Sequence, residues 1–244
     1  MHCKADYLTT NEIKIAFTHM PKAGGRSYIE IFERTFDKRL EMNSSQLKDE
    51  NKYPPEETAY FNLIAGHFTY QSFIKLPRCF KYVTVLRNPI DRVISQYNHF
   101  MSLETNITYA KQMREEDWSL IDFITTNNPN ILYWVLPYMC FIAGVVDDDV
   151  FDIEDIFKRA VGNIYFNYDS VGVIERPEDT LKLFRHRYGI GGELLEIGKT
   201  PESAKHDITD EDYEVLKTRI QPEILLYEIA GGLLDEALTK EGLD

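Results

Sequence analysis

The stretch "IAFTHMPKAGGRSYIEIF" (Ile15–Phe32) decides the fold. Its first residues are apolar and rich in strand formers, Gly24 and Gly25 supply a turn, and Tyr28, Ile31, Phe32 and then Phe36 recur at helical spacing. A strand feeding through glycines into a helix brings backbone N–H groups and the positive helix end close to a ligand, and Lys22 adds a full charge. The guest such a turn suits is a phosphate or a sulfate, with Ser27 as a further hydroxyl donor. The same pattern also serves as plain strand-to-helix geometry, so the turn alone leaves both readings open.

Two more apolar segments end in the same way. "YFNLIAGH" closes on Gly66 and His67, and "FKYVTVL" closes on Arg87, followed by Pro89 at the expected first turn of a helix through "IDRVISQYNHFMSL". The region 119–160 reads as mostly helical, with Asp152 or Asp155 as a helix start. "IYFNYDSVGVIE" reads as a strand region, "RPEDTLKLFRHRYG" as a helix between Pro177 and Gly189, and "TDEDYEVLKTRIQPEILLYEIAGGLL" as a C-terminal helical arm. Strands alternating with helices predict an α/β fold, a three-layer domain with a central parallel sheet and a P-loop-like turn, whose ligands bind beyond the carboxyl ends of the strands. The turns His19–Gly25, Gly66–Phe68 and Arg87–Pro89 are therefore expected to converge on one cleft. No internal repeat or linker divides the chain, and residues 1–244 are expected to form a single domain.

At 43% hydrophobic and 27% charged residues the composition is that of a globular chain with a core. The 27 basic and 40 acidic residues give −13, so the molecule as a whole repels polyanions, and nucleic acid is not an expected partner. Any bound anion must be held by a local cluster. Cys3, Cys79 and Cys140 are scattered and form no CxxC pair, which suggests neither a disulfide framework nor zinc and fits a reducing cytoplasm. The N-terminal segment lacks the apolar core of a signal peptide, and no run of about 18 apolar residues suits a bilayer, so no membrane role is expected. The longest apolar tract, "ILYWVLPYMCFIAGVV", is broken by Pro137 and reads as a buried helix pair or a pocket wall.

The turn is not an ATP loop, because GxxxxGK[ST] places Lys after the last Gly whereas Lys22 precedes both glycines; no GxGxxG occurs either. In "VTVLRNPIDRVISQY", Arg87 at a strand end and Ser95 about two helical turns further on offer a guanidinium fork and a hydroxyl, a pair suited to a dianionic phosphate. Arg92 is a further candidate, with a helix-to-sheet bridge as its structural alternative.

"FTHMPKAGG" followed by "LRNPIDRVISQY" resembles the paired motifs of the sulfotransferases that use 3′-phosphoadenosine 5′-phosphosulfate (PAPS), in the branch with the heparan sulfate 2-O-sulfotransferases and small bacterial enzymes. The resemblance implies that Lys22, Ala23, Gly24, Gly25, Arg26 and Ser27 hold the 5′-phosphosulfate, and that Arg87 and Ser95 hold the 3′-phosphate. "LIAGHFTY" resembles the segment whose His takes the acceptor's proton, which makes His67 the general base and Lys22 the group stabilising the leaving phosphate. Bisphosphate PAP is then the product, and no metal is implied. "GVIERP" and the "IGKTPESAK" loop, with Lys199, Thr200 and Ser203, resemble the region closing over the nucleotide. Two hydroxyl residues usual in the first motif are replaced by Ala23 and Arg26, and Arg26 either strengthens anion binding or points outward.

His19 is expected to brace the loop, and His99 faces either the cleft or solvent. Tyr133, Trp134, Tyr138 and Phe141 line either an acceptor pocket or the core. With −13 overall and no basic run longer than two residues, a small, neutral or carrier-bound acceptor is favoured over a polysaccharide. Competing readings are a phosphotransferase using ATP, which lacks its lysine here, and a non-catalytic nucleotide-binding module, against which the retention of Lys22 and His67 speaks.

Overall fold

Ile15, Ala16 and Phe17 are fully buried, and the strand that carries them, β1 (Lys14–Thr18), is the middle member of a five-stranded sheet of order β2-β3-β1-β4-β5. The other strands are β2 (Arg39–Met42), β3 (Leu63–Gly66), β4 (Phe80–Leu86) and β5 (Tyr168–Val173). The computed structural model describes residues 13–42, 58–70, 80–102, 107–145, 151–193 and 208–243. All the pairings are parallel, so the strand carboxyl ends share one edge. Side chains alternate across the sheet. Ile15 and Phe17 join the main core, whereas Ala16 joins Ile64, Phe68 and Phe80 in a smaller cluster.

Helix α1 (Gly25–Thr35) packs Tyr28, Ile31 and Phe32 onto the main face, with the Phe32 ring 5.2 Å from Phe17. Helix α2 (Pro89–Met101) starts as its sequence predicts. Pro89 takes the first helical position, and the Asn88 carboxamide accepts from the N–H groups of Ile90 and Asp91. After α3 (Thr108–Glu115) and α4 (Leu120–Thr125), the apolar tract forms two short helices divided at Pro137, α5 (Pro129–Val135) and α6 (Pro137–Ala143). Helix α7 (Ile153–Phe166) is capped by Asp152. It is followed by β5 and by α8 (Pro177–Tyr188), which ends on left-handed Gly189.

Three elements differ from the sequence reading. Strand β2 is a four-residue edge strand with Arg39 and Glu41 exposed and Leu40 partly buried, too short for its alternation to stand out. The apolar residues of "IYF" belong to α7 rather than to a strand; Ile164 is buried, but Tyr165 and Phe166 are 51% and 87% exposed. The C-terminal arm is two helices, α9 (Asp210–Arg219) and α10 (Gln221–Glu241), separated at Ile220 just before Pro222.

Candidate active site

Neighbouring strands β3, β1 and β4 end in Gly66, Thr18 and Leu86, and the turns that follow them meet over the sheet edge. Between them lies a cavity of about 380 Å³ lined by His19, Pro21, Lys22, Gly24, Arg26, His67, Arg87, Ser95, Gln96, His99, Phe100, Ile107 and Trp134. The three expected turns thus converge.

The loop after β1 is shaped for close approach. Lys22 and Gly24 both have positive φ, 60° and 65°, and Gly24 occupies the cap of α1, where no side chain takes up the first-turn N–H groups. Gly25 is needed for space, since a Cβ there would lie 2.3 Å from Cδ2 of His19. Ala23, Gly25 and Ser27 are buried beneath the loop rather than on the cavity wall; Lys22, Gly24 and Arg26 form the wall. The Ser27 N–H returns to the Gly24 carbonyl at 3.3 Å.

The two motifs touch. The Arg87 guanidinium donates to the Lys22 carbonyl at 3.3 Å, so the second strand end buttresses the first loop. Arg87 is itself held by Tyr138, whose hydroxyl accepts from the Arg87 N–H at 3.0 Å and donates to its C=O at 2.8 Å. Behind this contact the N–H groups of Tyr138 and Met139, at the start of α6, donate to the fully buried carboxylate of Glu223 at 3.0 and 2.8 Å. Asn88 donates its N–H to Glu175, which also accepts from the Tyr227 hydroxyl, so α10 fixes both sides of the Arg87 turn.

His67 and His19 stack with ring centroids 4.5 Å apart. Nδ1 of His67 lies 2.7 Å from the His19 carbonyl. A carbonyl only accepts, so the proton of neutral His67 resides on Nδ1 and Nε2 keeps its lone pair. Burial pushes the His67 imidazole below its ordinary pKa, opposed by that hydrogen bond and by Glu41, while burial with the neighbouring His67 and Arg26 takes His19 down to about 3. Lys22 is lowered by burial first and by Arg87 second. Burial thus favours the neutral form of both rings.

Arg26 stands at the rim, exposed and 3.9 Å from Glu41, so it both lines the cavity and reaches outward. His99 is exposed at the mouth, and Ser95 is buried in the wall. Arg92 is not a ligand group. It is fully buried and donates to the carbonyls of Trp134 at 2.9 Å and Val135 at 2.6 Å, bridging α2 to the end of α5 rather than to the sheet. In the aromatic tract Tyr133, Tyr138 and Phe141 are core, and Trp134 reaches the cavity. Lys199, Thr200 and Ser203 lie outside the described residues. In "GVIERP", Glu175 and Arg176 are engaged within the protein, Arg176 with Asp179 and Asp235 at 2.7 and 2.6 Å.

The sequence matches the sulfotransferase family over residues 5–224. The chain belongs to the sulfotransferase family. No curated protein matches the sequence. Among solved structures the chain is similar to mouse sulfotransferase SULT7A1 complexed with PAP, at 16% identity over 97% of this chain and 89% of that chain, with a TM-score of 0.40. Gln96, Phe100 and Ile107 were not singled out by sequence, although Gln96 and Phe100 share with Ser95 and His99 the helical spacing of one face of α2.

Proposed function

We propose that the protein is a PAPS-dependent sulfotransferase moving a sulfuryl group to a hydroxyl or amine of a small or neutral acceptor. The observation that carries this reading is electrostatic. Lys22, Arg26 and Arg87 line one cavity together with His67, no acidic side chain lines it among the described residues, and the whole protein carries −13. This cation cluster, at the start of α1 where no side chain caps the helix, fits a phosphosulfate at one end and a 3′-phosphate near Arg87 and Ser95. The donor supplies the electrophilic sulfur.

The protein's own groups supply the rest. His67 accepts the acceptor's proton at Nε2 as the new O–S or N–S bond forms, and Nδ1–H to the His19 carbonyl keeps the ring in the required tautomer. As the S–O bond to phosphate breaks, Lys22 meets the charge gathering on the phosphate oxygen, aided by N–H groups of the loop. Lys22 is held in place by its own carbonyl's bond to Arg87, which ties the charge-stabilising group to the phosphate-binding one. A small or neutral acceptor is supported by the net charge of −13, which disfavours a polyanionic one.

The test is calorimetry with adenosine 3′,5′-bisphosphate and with ATP. The bisphosphate is expected to bind at micromolar level and ATP more weakly, and Arg87→Ala is expected to weaken the bisphosphate by about tenfold or more. No bisphosphate binding, or binding indifferent to Arg87, rules the reading out.

A further inference from the structure

His19 touches both halves of the site. Its ring stacks on that of His67, with centroids 4.5 Å apart and planes 21° from parallel. The same ring lies against Gly25, the first residue of α1, where a Cβ would come 2.3 Å from its Cδ2 and 2.9 Å from its Nε2. The imidazole thus joins the proposed base to the uncapped helix start, and it lines the cavity there. A sulfuryl group in transfer spans the same interval. Its sulfur leaves a phosphate oxygen held by the loop and bonds to the atom whose proton His67 takes.

The backbone of His19 is already engaged. Its N–H donates to the Gly66 carbonyl at 2.8 Å, and its C=O accepts from Nδ1 of His67 at 2.7 Å. Among the described residues, neither ring nitrogen of His19 has a hydrogen-bond partner. A neutral imidazole keeps one N–H, and a polar group left unpaired on the wall of a ligand cavity is free for a ligand. Burial first, then His67 and Arg26, keep the ring neutral. It therefore does not compete with His67 for the acceptor's proton, and the role left to it is donation. The cations of the cavity are assigned to the phosphates, Lys22 at the leaving one and Arg87 at the 3′-phosphate, so the sulfuryl oxygens still lack a partner.

Resting on the proposed sulfotransferase reading, we propose that His19 is a second catalytic histidine, whose ring N–H donates to a non-bridging oxygen of the sulfuryl group and holds it in line for transfer. His19 passes on no proton. The S–O bond to phosphate breaks, the bond from sulfur to the acceptor forms, and the acceptor's proton goes to Nε2 of His67. An uncharged donor suits this place, because His67 becomes positive as it takes that proton and a cation stacked on it would oppose the step.

PAPS and PAP differ in the sulfuryl group, and that difference supplies the test. Affinities of both for the full chain are measured by calorimetry without acceptor. His19→Phe keeps a flat ring and removes the N–H, whereas His19→Gln restores a donor near the position of Nε2. In His19→Phe the ratio of PAPS to PAP affinity is expected to fall by about fivefold or more, and His19→Gln is expected to lose less. A histidine that only braces the loop would weaken both ligands together and leave the ratio within that limit. The unaltered protein gives a second readout that does not depend on the folding of a variant. With isotope-labelled imidazole nitrogens, a His19 ring signal is expected to shift when PAPS binds and to stay in place with PAP. A ratio that changes by less than about fivefold in His19→Phe, a Gln variant as impaired in that ratio as the Phe variant, or a ring signal that responds equally to PAP overturns the inference. PAP binding with an unchanged ratio sinks only the role of His19. Absence of PAP binding sinks the donor reading and this inference with it.

Discussion

The Tyr138 hydroxyl closes a two-way bridge on the Arg87 backbone, accepting from its N–H at 3.0 Å and donating to its C=O at 2.8 Å. An irregular strand end is thereby given hydrogen-bond partners from a helix far away in sequence, and the Arg87 guanidinium is presented to the Lys22 loop from a fixed base. Tyr138→Phe removes both bonds with little change in volume. The expected result is a loss of roughly 1–3 kcal/mol of stability and a bisphosphate affinity weaker by about tenfold, read by denaturant titration and calorimetry. Unchanged bisphosphate affinity would show that Arg87 needs no such support.

Glu223 underlies that bridge. Burial pushes its carboxyl up to about 7, against the pull of Arg92 and the two N–H groups at the start of α6. Glu223→Leu leaves those N–H groups and the buried Arg92 uncompensated, and the expected destabilisation is roughly 3–5 kcal/mol. Chemical denaturation of the variant measures it, and a loss under about 1 kcal/mol contradicts the role.

Removing the proposed catalytic groups should separate binding from transfer. His67→Ala is expected to lower kcat by roughly 10²–10⁴ with bisphosphate affinity within a few fold. Lys22→Ala is expected to lower kcat by roughly 10²–10³ and to weaken anion binding as well. Single-turnover rates at saturating donor distinguish these outcomes, and a His67→Ala enzyme with normal kcat removes His67 from the chemistry.

The pH dependence follows from two depressed imidazoles. Activity requires neutral His67, so kcat/KM should rise with pH to a plateau whose acid midpoint lies below 6.5, because burial lowers this group. Stability has the same direction for a separate reason. Below the ordinary value of 6.5 an unfolded His19 binds a proton that the folded one, at about 3, refuses. The unfolded chain therefore binds more protons in that window, and stability falls as pH is lowered from 6.5 towards 3. In His19→Gln the decline across that window should be shallower; an identical decline would assign it to other groups.

Gly25→Ala tests the packing of the loop. A Cβ at that position meets the His19 ring at 2.3 Å, so the ring must leave its stack on His67. Expected consequences are a loss of roughly 1–3 kcal/mol and an acid limb of the rate profile displaced from that of the unaltered protein. A fully active variant with unchanged stability would show that the stack is dispensable.

Much of this site was legible in the chain because its information is local. Each strand end is coded within one short window, and the windows "HMPKAGG", "LIAGH" and "VLRNP" mark Lys22, His67 and Arg87, which line one cavity. Edge strand β2 escaped because its alternation, Arg39, Leu40, Glu41 and Met42, spans only four residues. Tertiary structure alone decided what depends on groups distant in sequence. It turned Arg92 inward to helix-end carbonyls, joined Tyr138 to Arg87 and Glu223 to Tyr138, and divided Arg26 between the cavity and Glu41. It also set Gln96 in the cavity wall with a buried Oε1 that has no hydrogen-bond partner. No spacing rule reaches these facts, since hydrogen bonds between distant segments are set by which faces pack together. The sequence determined which strand ends would carry charge; packing decided which of those charges are free to meet a ligand.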